Sequence, residues 1–99
     1  MDTQTYKKST TFGTIYVETE SGTWVNLAHV DAIENDGTLY AAGTDDGHWQ
    51  YADNSKGEER AIALTEALKD IIIGAMQEGY IGVIRFKDVC ARAQIQEVA

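Results

Sequence analysis

Residues 55–79, SKGEERAIALTEALKDIIIGAMQEG, decide the fold. Ala61, Leu64, Leu68, Ile71, Ile72 and Ala75 recur at helical spacing, while Glu59, Glu66, Asp70 and Gln77 fall on the opposite face. Ser55-Lys56-Gly57-Glu58 has the form of a capping box: Ser55 accepts from the third helical amide and Glu58 reaches back to the Ser55 amide. Gly79 suits the far end, where left-handed backbone closes a helix. The spacing predicts a helix over residues 56–78. Ile73 stands off the stripe, near Ile62 and Met76. Either the apolar arc is wide, or these three meet the C-terminal segment or another subunit.

Upstream of Ser55 the period changes to two. Ile15 and Val17 alternate with Tyr16 and Glu18, and Glu20-Ser21-Gly22 reads as a turn. Val25 and Leu27 alternate with Trp24 and Asn26; Val30 and Ile33 then continue the strand or form a short helical turn. Asn35-Asp36-Gly37 is the strongest hairpin signal, because Asp-Gly fits the positive backbone angles of a tight turn. Thr38 to Ala42 reads as the next strand, Asp45-Asp46-Gly47 as another turn, and His48 to Ala52 as another strand. The expectation is an antiparallel meander of about four short strands.

Downstream of Gly79, residues 80–86 are rich in β-formers and predict a short strand. In the last stretch, 87–99, Phe86, Val89, Cys90 and Ala93 have helical spacing, whereas Val89, Ala91, Ala93 and Ile95 alternate. A C-terminal helix is preferred over a strand. A sheet with one polar face must cover the other, and the helix carries the matching stripe. The fold class is therefore α+β: the meander packed on one long amphipathic helix, then a short strand and a C-terminal helix. Residues 1–11 read as a flexible lead-in and 12–99 as a single domain. If Ile15, Val17, Val25, Leu27, Leu39 and Ala41 face the helix, Tyr16, Trp24 and Tyr40 emerge on the opposite side.

Charge is distributed unevenly between the two halves. Between Lys8 and Lys56 there is no Lys or Arg, yet the interval holds Glu18, Glu20, Asp31, Glu34, Asp36, Asp45, Asp46 and Asp53. The remaining charges cancel, so the net charge of −8 belongs to this interval. Such a surface repels nucleic acid and anionic membranes and attracts basic proteins. The lone Cys90 excludes an internal disulfide scaffold. The start of the chain lacks an apolar signal core, and Ile71–Met76 is too short an apolar run to span a bilayer. A cytoplasmic location is the expectation.

No catalytic, cofactor-binding or metal-binding set is predicted. His29, His48 and Cys90 do not have zinc-site spacing. Residues 53–59 miss the calcium-loop pattern, because Gly57 is one place early. Cys90 with His29 or His48 is the one thiol–imidazole option, but its spacing with Phe86, Val89 and Ala93 favours a core position. Glycines at 74, 79 and 82 do not form a phosphate loop. Aromatics interleaved with carboxylates have the wrong sign for stacking on single strands. They suit a protein partner, since Tyr and Trp anchor interfaces and carboxylates meet basic groups.

Gly22-Thr23-Trp24-Val25-Asn26-Leu27, followed by Val30 and Ile33-Glu34, resembles small β-meander-plus-helix modules of the FlbD flagellar-regulator type. The likeness spans about half the chain and carries over no functional residue. Size and acidity also resemble phage-encoded inhibitors of host defence, of the anti-CRISPR and DNA-mimic kind. The expected function is a non-enzymatic acidic module that docks on a basic partner, one that otherwise holds nucleic acid. The expected partner-binding residues are Tyr16, Glu18, Glu20, Trp24, Glu34, Asp36, Tyr40, Asp45 and Asp46. A homo-oligomeric scaffold, with Tyr16, Trp24, Tyr40 or Ile73 between subunits, is the alternative; a small enzyme using carboxylates or Cys90 ranks last.

Overall fold

The structure, a computed structural model, describes residues 15–43 and 47–95. Alternation from Ile15 produces β1 (Ile15–Glu18), with Ile15 and Val17 buried and Tyr16 outward. β2 (Trp24–Asn26) pairs with it antiparallel, Val25 opposite Val17 and Trp24 opposite Glu18. The Asn26 side chain then accepts the Ala28 N–H at 2.9 Å and opens a single 3-10 turn, Leu27–His29. That turn ends the ladder. β3 (Val30–Ile33), β4 (Thr38–Ala41) and β5 (His48–Gln50) form a second antiparallel sheet.

The α+β class stands, with the long helix α1 (Glu58–Glu78), β6 (Gly82–Ile84) and the helix α2 (Phe86–Ala93) following the strands. The strands are divided between two three-stranded sheets rather than joined in one meander. β6 lies parallel to β1, Gly82 beside Ile15 and Ile84 beside Val17. A parallel pair needs a long crossover, and α1 lies within that connection. The predicted strand over 80–86 is shorter than expected, and the preferred C-terminal helix is present. The lead-in at 1–11 and residues 96–99 lie outside the described residues.

The hairpin between β3 and β4 forms where expected, by a different turn. Gly37 N–H donates to the Glu34 carbonyl at 3.0 Å, and Glu34 N–H donates to the Thr38 carbonyl at 2.9 Å. Gly37 alone takes a left-handed backbone, φ +91°, so the loop is a three-residue turn closed by glycine. Tyr51 N–H donates to the Gly37 carbonyl at 2.6 Å. A Cβ on Gly37 would lie 3.2 Å from Gln50 Nε2, a tight contact that adds to the preference for glycine set by the positive φ.

The capping box does not form. Asp53 accepts from the Ser55 amide at 2.9 Å and from its hydroxyl at 2.7 Å, capping a separate 3-10 turn, Asn54–Lys56. Ser55 is thereby turned away, and α1 starts after Gly57 with no side-chain cap. Glu58 and Glu59 in its first turn complement the positive helix end. The apolar stripe is as spaced: Ala61, Leu64, Leu68, Ile72 and Ala75 are buried and Ile71 half-buried. Thr65 joins them because its hydroxyl donates to the Ala61 carbonyl at 2.7 Å. Gly79 closes the helix at φ +70°, its N–H donating to the Ala75 and Met76 carbonyls.

These elements meet in one core that joins Ile15, Val17, Val25 and Leu39 to Leu64 and Leu68 of α1 and Val89 of α2. Tyr51 lies in it fully buried, its ring 5.6 Å from Phe86. Among the described residues its hydroxyl finds no hydrogen-bond partner, and burial pushes the phenol pKa up. A buried polar group without a partner costs about 1–3 kcal/mol. Tyr51→Phe is therefore expected to raise stability by about 1 kcal/mol. Urea unfolding checks this: the midpoint rises at unchanged slope, and a lowered midpoint contradicts it.

Candidate docking surface

The inward pairs Ile15/Val17 and Val25 leave Tyr16 and Trp24 on the outer face of the first sheet. Their ring centroids are 6.4 Å apart at 51°. Trp24 is 54% exposed and Tyr16 36%. In the second sheet Leu39 points inward against half-buried Trp49 and Ile33, so Tyr40 points out, 40% exposed. Ala32 and His48 flank Tyr40, with the His48 ring 6.3 Å from the Tyr40 ring. All three aromatics emerge from the core as expected, but on two sheets rather than one.

The carboxylates divide into two groups. Glu18 and Glu20 are held by the chain itself. Glu18 accepts the Phe86 N–H at 2.9 Å and Arg85 Nε at 3.1 Å, so a strand carboxylate caps α2. The Phe86 N–H chiefly holds its carboxyl below the usual range, with Arg85 helping against a smaller effect of burial. Glu20 sits at the centre of a larger cluster. Arg60 grips it with two bonds, 3.1 and 2.7 Å, and Lys56 Nζ and the Asp53 N–H each lie 2.8 Å away. Burial alone would raise its pKa, but the bonds from Arg60, Asp53 and Lys56 together outweigh it and set it to about 2.

Asp31, Glu34 and Asp36 form the other group. All three are exposed, Asp31 at the register shift of β3 and the other two in the β3–β4 turn. Among the described residues none of them has an ion-pair partner, although Asp36 accepts the Thr38 N–H at 3.0 Å. Four of the described cations are already engaged in ion pairs: Lys56 and Arg60 on Glu20, Arg85 on Glu18, Arg92 on Asp70 at 3.6 Å. Lys69 reaches the hairpin too, donating to Asn35 Oδ1 at 2.7 Å. Asp45 and Asp46 lie outside the described residues.

Asp31 was absent from the expected set, although its place between Val30 and half-buried Ala32 is a usable signal for an outward side chain. The partners of Glu18 and Glu20 lie far along the chain and leave no local pattern. Cys90 lies in the core at 2% exposure, beside buried Phe86 and Val89. Among the described residues no three His, Cys, Asp or Glu side chains are grouped to hold a metal. No described helix is long and apolar enough to cross a membrane. No protein-family model, curated protein or solved structure matches this chain.

Proposed function

We propose that this protein is a non-enzymatic acidic module that docks on a basic surface of a partner protein. The observation that carries the reading is a division of charge. Four described cations of the helical half are tied to Glu18, Glu20 and Asp70, while Asp31, Glu34 and Asp36, on the hairpin that carries exposed Tyr40, form no ion pair among the described residues. Aromatic faces beside carboxylates suit arginine, which stacks on the ring and pairs with the acid. The basic surface is proposed to be one that otherwise holds nucleic acid, in the manner of the phage-encoded inhibitors that the chain resembles in composition.

Affinity capture from a nuclease-treated lysate of the source cells tests this, at low and high salt and with duplex DNA as competitor. The expected result is a discrete basic protein that elutes as salt rises and is displaced by DNA. Retention indifferent to both salt and DNA contradicts the proposal. The homo-oligomeric alternative has its own reading: concentration-dependent sedimentation in the absence of any partner.

A further inference from the structure

At the end of α1 remote from the Glu20 cluster, an open groove of about 320 Å3 runs between α1, β6 and α2. Ile71, Ala75, Val83 and Ile84 supply its apolar lining; Asp70, Glu78 and Asp88 supply charge. Arg92 is the one cation among the lining residues, and Asp70 already holds it at 3.6 Å. Two features here have no explanation in the packing of the chain.

Gly74 lies inside α1, where glycine costs up to about 1 kcal/mol relative to alanine. A Cβ built on it meets nothing within 4 Å, so no internal neighbour requires its absence. Glu78 sits in the last turn of α1, which contains no basic residue. The negative helix end and this carboxylate repel, an arrangement that an external cation relieves. Tyr80, which also lines the groove, is 41% exposed.

We propose that this groove binds a basic amphipathic segment of a protein partner. Its apolar side chains lie over bare Gly74 against Ala75 and Val83, and its Lys or Arg groups meet Glu78, Asp88 and the α1 carbonyl end. A two-fold pairing of this groove with itself in a second copy is disfavoured, because it sets Asp70, Glu78 and Asp88 against the same carboxylates. The surface is distinct from the β3–β4 turn, so the proposal does not depend on docking there.

The test uses the full chain and a short fluorescent peptide of leucine and lysine at amphipathic helical spacing. An oligolysine of equal charge is the control. The expected results are amide shifts at Gly74, Ala75 and Val83, and affinity at least about tenfold above oligolysine. Gly74→Leu fills the groove while improving helix propensity, so it keeps the fold and is expected to weaken the peptide about tenfold. Asp31→Lys/Glu34→Lys, which reports on docking at the sheet, is expected to change peptide affinity by less than about threefold. Equal binding of both peptides, or affinity unaffected by Gly74→Leu, overturns the proposal. Self-association that Gly74→Leu abolishes also overturns it, in favour of a second copy.

Discussion

Replacing Glu20 by alanine is expected to lower the free energy of unfolding by about 3 kcal/mol at neutral pH. The side chain is only 14% exposed and joins parts of the chain that local structure cannot hold together. Its carboxylate ties the β1–β2 turn to Arg60 in the first turns of α1 and to the Asp53 amide before it. Removing it leaves the part-buried guanidinium and that amide without their acceptor, and this loss of partners dominates the cost. The ionised form is favoured by folding, because the pKa drops from 4.5 to about 2. Its contribution is therefore present above pH 4.5 and is lost as pH falls towards about 2. Glu18, also depressed, has the same sign. Urea unfolding at neutral pH and at steps below pH 4.5 checks both parts. The wild type should lose stability over that interval more steeply than Glu20→Ala; parallel curves contradict the assignment.

Leu68→Ala is expected to cost about 3 kcal/mol, a large share of a stability of roughly 5–10 kcal/mol for a domain of this size. Leu68 is fully buried on the stripe where α1 meets the sheets, and truncation leaves a cavity that close-packed neighbours fill only in part. Ile73→Ala, on the same helix at 54% exposure, is expected to change stability by less than about 1 kcal/mol. Thermal or urea unfolding of the two variants separates core from surface on one element. Equal losses would mean that the face around Ile73 is buried after all.

Particular elements show why the fold was only partly legible. α1 could be read because its burial follows a local period, and the β3–β4 hairpin because Asp36-Gly37 marks a turn within four residues. The parallel pairing of β1 with β6 had no such mark. It joins Ile15 to Gly82 across most of the chain, and it depends on α1 folding back between them. The start of α1 failed for a different reason: Asp53 and Ser55 both suit a capping role, and Asp53 captured Ser55 itself. At the surface, alternation revealed that Tyr16, Trp24 and Tyr40 point outward. It could not reveal that Glu18 and Glu20 are neutralised by Arg85, Arg60 and Lys56, since ion pairs between distant segments follow no period.

That division of carboxylates narrows the proposed docking surface to Asp31, Glu34 and Asp36 on the β3–β4 hairpin that carries Tyr40, with Trp24 and Tyr16 on the other sheet. The most direct measurement is the affinity of the captured partner for the wild type and for Asp31→Lys/Glu34→Lys, titrated across a range of salt. Affinity is expected to fall at least about tenfold and its salt dependence to become shallower, because steering and pairing charges are both reversed. An unchanged affinity with an unchanged salt slope would contradict this and leave Asp31 and Glu34 with no part in binding.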